Sequence, residues 1–150
     1  MSTILEVRVE VDAPPEVVWA AVTDWSAQRE WIPGTVVGVV HGDGRSVGSR
    51  LFAFTGVADI GVLDTLEITE WQPPRRCRVR HLGTLLRGYG VFAVEDRDPG
   101  GATFVWTEEL RPPLGLLGRA ALSVGRPAFQ AVMRRAGRNL AAGCESAVRR

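Results

Sequence analysis

The order of segments constrains this chain more than any other feature: an opening strand, two short helices, a long succession of strands and one closing helix. In Ile4 to Val11, Leu5, Val7, Val9 and Val11 fall on one face and Glu6, Arg8 and Glu10 on the other, the period-two pattern of a half-buried strand. Asp12 to Glu16 then supplies an acid suited to capping and prolines suited to a first helical turn, predicting a helix through Val22. Asp24 is placed to cap a second, shorter helix over Trp25 to Trp31, which Pro33-Gly34 stops. Residues 14–33 therefore read as a helical insertion between the first and second strands.

From Thr35 to Leu110 the chain is rich in strand formers and broken by Gly42-Asp43-Gly44, Gln72-Pro73-Pro74, His81-Leu82-Gly83 and Asp98-Pro99-Gly100-Gly101. These breaks predict strands at Val36 to His41, Arg50 to Thr55, Val62 to Trp71, Arg76 to His81, Leu85 to Glu95 and Ala102 to Leu110. Their short connections favour antiparallel neighbours. In the last segment Phe129, Met133, Ala136, Leu140, Cys144 and Val148 recur at helical spacing with arginines between them, an amphipathic helix. Pro127 is placed as its start, which makes Leu114 to Gly125 a separate helical turn or a kinked lead-in. Such a helix of about 20 residues is roughly 30 Å long, enough to cross a seven-stranded sheet.

A chain of 150 residues with 45% hydrophobic content fits one compact domain over 1–150, able to fold without disulfides or metals. The opening strand starts too early and carries too many charges for a signal peptide, and no apolar run reaches the ~20 residues of a membrane span. A soluble, cytoplasmic protein without stable membrane insertion is the expectation; oligomeric state is left open. Cys77 and Cys144 sit on apolar faces, as buried thiols do, and the two histidines, His41 and His81, show no metal-ligand spacing. No metal and no cofactor is expected, since nucleotide fingerprints and Gly-rich phosphate loops are missing as well. Residues 119–150 carry seven arginines against one glutamate, but Arg134, Arg135, Arg138, Arg149 and Arg150 fall on the solvated helical face and no aromatics interleave with them. Nucleic acid is not an expected partner. All 18 basic side chains are arginine, so Schiff-base chemistry on lysine is excluded.

Pro14-Pro15-Glu16-Val17-Val18-Trp19, Thr23-Asp24-Trp25 and Trp31-Ile32-Pro33-Gly34 resemble the first helices of the polyketide cyclase/dehydrase group of the SRPBCC superfamily, which has START-like and birch-pollen-allergen-like folds. Glu70-Trp71-Gln72-Pro73-Pro74, Gly88-Tyr89-Gly90-Val91-Phe92 and Trp106-Thr107-Glu108-Glu109 are similar to its strand landmarks. The resemblance implies an α+β helix-grip fold: a curved seven-stranded antiparallel sheet around the long C-terminal helix. It also implies a hydrophobic ligand held between sheet and helix. These motifs are folding landmarks and carry no catalytic signature.

Strand parity yields candidate site residues. Phe104, Trp106, Glu108 and Leu110 share a face, so an acid stands among apolar neighbours; if buried, Glu108 is pushed up unless a donor pairs with it. Cys77, Val79 and His81 share a face on the fifth strand, as do Asp64, Leu66, Ile68 and Glu70 on the fourth. Leu86, Gly88, Gly90, Phe92 and Val94 share one on the sixth, where the glycines either bend the sheet or make room. Tyr89 has the opposite parity and points outward. Trp25 and Trp31 are expected to close one end of a cavity, Trp19 to pack beneath the first helix, and Phe52, Phe54, Phe129 and Met133 to stand in the core or the pocket wall. Asp64, His81, Trp106 and Glu108 form the candidate polar site. Three function classes follow: a binder of a lipid-like, polyketide-like or aromatic molecule; a cyclase/aromatase-like enzyme using pocket acid/base residues; and a protein-interaction module with a solid core. Whether there is catalysis is left open. Arg111 to Gly118 is either a lid at the cavity mouth or a packed connector.

Overall fold

The computed structural model describes residues 2–84 and 86–150. Seven strands form one antiparallel sheet in the order β1-β7-β6-β5-β4-β3-β2, with β1 at Thr3–Val11, β2 at Thr35–His41, β3 at Arg50–Val57, β4 at Ile60–Gln72, β5 at Arg76–His81, β6 at Gly88–Arg97 and β7 at Gly101–Leu110. Strands β2 to β7 follow one another as a meander, and β1 adds to the far edge beside β7. The β1–β2 connection must therefore span the whole sheet. It does so with helix α1, Pro15–Val22, against β6 and β7, and a 3₁₀ helix, Trp25–Glu30, against β2. The sixth strand is described from Gly88; its expected start at Leu85 lies outside the described residues.

Neither short helix is capped by the expected acid. Pro14 occupies the N-cap of α1 and its carbonyl accepts the amides of Val17 and Val18, while Asp12 pairs with Arg97 and the Asp24 carboxyl accepts the Ser26 hydroxyl. Proline at the first turn is enough, because its fixed φ is already helical.

Helix α2, Gly115–Val148, is longer than the sequence predicts: 34 residues run unbroken with Pro127 inside. A proline removes one backbone hydrogen bond and crowds the preceding turn. Here that happens in a stretch whose side chains are exposed, where water can take up the unpaired carbonyl. Leu114 to Gly125 is thus not a separate turn: from Gly115 it is the opening of α2, with Leu116 and Leu117 exposed in the first turn and Leu122 packed against the core. The C-terminal half is what the sheet grips. Met133, Ala136, Leu140 and Cys144 are buried at spacings of three and four, while Phe129 and Val148 lie at the exposed ends of that stripe. Gly137 takes the closest approach: a Cβ there would overlap Val9 of β1, so glycine lets the helix lie directly on the edge strand. The core between helix and sheet includes Leu5, Val11, Leu51, Ile68, Val94 and Phe104, each worth about 1.5–3 kcal/mol of burial. No described helix is long and apolar enough to cross a membrane.

Candidate functional site

Between the curved sheet and α2 lies a cavity of about 410 Å³. Its wall is mostly apolar, with Asp64, His81, Trp106 and Glu108 brought together at one end by β4 to β7 and Gln28, Thr35 and Thr55 as its further polar members. The register explains how. Leu66 pairs with His81, so Asp64, two residues along β4, sits diagonally across from the imidazole on the same face. His81 pairs with Gly88 on β6, and Gly90 of that strand pairs with Glu108 on β7. His81 and Glu108 therefore belong to strands separated by β6, about 10 Å apart at the usual strand spacing. They meet only because β6 presents glycine between them. A Cβ at Gly90 would lie 3.0 and 3.2 Å from the Glu108 carboxyl oxygens, and one at Gly88, where φ is +119°, would overlap the Glu109 carbonyl. Of the two roles open to these glycines, Gly90 makes room.

The imidazole is bound at both ends, with Nδ1 2.5 Å from Asp64 Oδ2 and Nε2 2.9 Å from Glu108 Oε2. Trp106 Nε1–H donates to Glu108 Oε1 at 2.9 Å. Glu108 thus has the donors that an inward acid requires. Burial by itself would push His81 down, but the hydrogen bonds to Asp64 and Glu108, together with their charges, outweigh it and hold the group up at about 10. A protonated ring donates from both nitrogens, which fits two carboxyl acceptors without leaving a lone pair facing an oxygen.

The structure places Trp25, Asp64, His81, Phe92, Trp106, Glu108, Phe129 and Met133 in the cavity wall. Trp31, expected to close one end of the cavity, is a correction: it stands behind the wall, with its ring 5.9 Å from those of Phe92 and Phe104 and 6.0 Å from that of Trp106. Trp19 packs on Trp71 at 5.2 Å. Phe52 and Phe54 are corrections. Ala53 pairs with Asp64 and shares its face, so Leu51, Ala53 and Thr55 line the cavity while the two phenylalanines lie on the opposite face, over Gly38 and Gly61. Glu70 is a further correction. The pairing shifts between Ile68 and Glu70, and this bulge turns Glu70 to the outer face, where Arg76 holds it at 3.1 Å, and brings Trp71 inward. Tyr89 lies outside as expected, under the Arg78 guanidinium.

Sequence reasoning passed over Gln28, Thr35 and Thr55. Gln28 is buried in the cavity wall and its Nε2 donates to the Val22 carbonyl at 2.9 Å. The hydroxyls of Thr35 and Thr55, register partners on β2 and β3, lie 3.1 Å apart. Gln28 stands one helical turn from Trp25, the signal that could have found it. Cys77 and Cys144 are buried and unbridged, and burial pushes their thiols up to about 12 and about 11, so both are inert at neutral pH. Among the described residues no group of three or more His, Cys, Asp or Glu side chains is arranged to hold a metal ion.

Residues 2–145 match the family model described as polyketide cyclase / dehydrase and lipid transport. No curated protein sequence matches the chain. Among solved structures, TTHA0849 from Thermus thermophilus aligns over 97% of this chain and 99% of its own at 16% identity, with a TM-score of 0.79. The Zhui aromatase/cyclase from Streptomyces sp. R1128 aligns over 99% of this chain and 96% of its own at 19% identity, with a TM-score of 0.76. The di-domain aromatase/cyclase StfQ of the steffimycin biosynthetic pathway aligns over 99% of this chain and 52% of its own at 14% identity, with a TM-score of 0.77. At these identities the likeness is one of fold, the helix-grip.

Proposed function

The chain belongs to the polyketide cyclase / dehydrase and lipid transport family, and from that premise we propose that it binds a small hydrophobic molecule, lipid-like, polyketide-like or aromatic, in the cavity between the sheet and α2. The cavity carries the proposal: about 410 Å³ lies within the range of small-molecule sites, and mostly apolar side chains line it together with a charged cluster and a few uncharged polar groups. An interaction module working through its outer surface alone would have no use for that space.

Native mass spectrometry of the purified protein, followed by extraction and identification of bound small molecules, tests this. The expected result is a stoichiometric apolar adduct, or, from an apo preparation, saturable quenching of Trp25 and Trp106 by an added aromatic probe. An apo mass together with no quenching by any apolar probe would overturn it.

One observation favours an aromatase/cyclase-like enzyme as the second candidate. An imidazole and two carboxyls at the end of an apolar cavity are the groups that general acid/base chemistry uses. Both N–H groups of His81 are engaged, so turnover would require one partner to release the ring. Under this candidate His81→Asn abolishes conversion of a poly-β-keto substrate analogue while leaving probe binding within a factor of a few. Loss of both together would refute it.

A further inference from the structure

We infer that the cavity selects uncharged apolar molecules bearing a hydroxyl and rejects those that end in a carboxylate or phosphate, because its polar end offers hydrogen-bond acceptors and no available cation. This rests on the ligand-binding proposal above and names the class of ligand within it.

The first observation concerns donors. Among the described residues, every imidazole and indole N–H that lines the cavity is already committed inside the protein. His81 donates to Asp64 and Glu108, Trp106 to Glu108, and Trp25 to the Gly44 carbonyl at 2.8 Å. What is left for a ligand is uncharged: the second amide hydrogen of Gln28, the Cys77 thiol and any hydroxyl hydrogen that the Thr35–Thr55 pair does not spend on itself or on the Pro33 carbonyl. None of the 18 arginines lines the cavity among the described residues, although a ligand carboxylate in an apolar pocket needs a cation or several donors.

The second observation concerns acceptors. Three protein donors serve three of the four oxygens of Asp64 and Glu108, each of those oxygens keeps a second lone pair, and the fourth, Asp64 Oδ1, is buried beside Gly83 with no hydrogen-bond partner at all. Two carboxylates around one imidazolium leave this end with an excess negative charge. A phenol or alcohol brings a donor to that surplus, whereas a fatty-acid carboxylate brings a third negative charge beside it and nothing to pair with.

Three probes of one ring system separate these possibilities: 2-naphthol, its methyl ether and 2-naphthoate, titrated at neutral pH by quenching of tryptophan fluorescence and by calorimetry. The hydroxyl should bind about tenfold more tightly than the ether, and the naphthoate roughly a hundredfold more weakly than the hydroxyl. In the Asp64→Asn/Glu108→Gln variant the penalty on naphthoate should shrink at least tenfold. If the ether and the naphthoate bind the wild-type protein as well as 2-naphthol does, the cavity binds ligands but the selectivity inferred here is wrong. Should none of the three bind, both the selectivity and the ligand-binding proposal fall. The wild-type titrations decide the matter even if the double variant does not fold.

Discussion

Stability should fall with rising pH across the neutral range, and one residue should cause it. His81 is held at about 10 against 6.5 for an ordinary histidine, with burial opposing its charge and the hydrogen bonds and charges of Asp64 and Glu108 prevailing. The unfolded chain gives up this proton near 6.5 and the folded chain only near 10, so between those values the native state holds one proton more. Its contribution is complete below 6.5 and drains away as pH rises through 10. The slope is about 1.4 kcal/mol per pH unit, so moving from pH ~6.5 to pH ~8.5 should remove roughly 2 kcal/mol, or about 4–8 °C in Tm for a chain of this size. The window stops there because the thiols of Cys77 and Cys144, ordinarily at 9.0 and raised by burial, drain stability in the same direction above it. Urea unfolding at closely spaced pH values, on the wild type and on Asp64→Asn/Glu108→Gln, gives the comparison. With both partners neutral, burial alone acts on the imidazole and the slope should vanish or reverse, while all groups common to the two proteins cancel. A flat wild-type midpoint, or an unchanged slope in the double variant, would refute the charge assignment.

Gly90→Ala puts a methyl group 3.0 Å from the Glu108 carboxyl and should displace it from His81, so the NMR titration of the imidazole moves to lower pH; an unmoved titration would count against the β6 gap as the cause of the pairing. Leu140→Ala, at a side chain 3% exposed in the gripped half of α2, should cost about 2–5 kcal/mol by urea unfolding. Leu117→Ala, 71% exposed in the opening turn, should stay within about 0.5 kcal/mol, and a large loss there would mean that this turn packs after all. Ala53→Trp fills part of the cavity from β3 and should weaken naphthol binding at least tenfold for about 1–3 kcal/mol in stability; unaltered affinity would place the probe elsewhere.

The sequence exposes the fold almost completely, because each strand, turn and helix stripe is a local pattern, and the misjudged features are those set by something non-local. Period-two parity holds along β7, where Phe104, Trp106, Glu108 and Leu110 all face inward without interruption. On β4 the same rule works up to Ile68 and inverts at the bulge, and nothing in Thr69-Glu70-Trp71 announces an inserted residue, since the bulge is a property of the pairing with β5. Pro127 looks like a boundary by the rule for buried helices, and that rule loosens where the turn is open to water, which depends on how far the sheet reaches along α2.

Phe52 and Phe54 show a different failure. On a strand with apolar residues on both faces, choosing the inward face by size is sound for a solid core and wrong for a cavity. Along β3 the space next to the sheet lies over the small side chains, so Ala53 and Thr55 mark the cavity while the rings of Phe52 and Phe54 lie on the reverse face. The same logic makes the His81–Glu108 contact readable in retrospect. Side chains on strands two apart cannot meet over an occupied middle strand, and a glycine on that strand, Gly90, between an inward histidine and an inward acid permits it. What parity could not supply is which donors would already be spent. That follows only from the assembled wall, and it is what turns an apolar pocket with an acid in it into one that discriminates between a hydroxyl and a carboxylate.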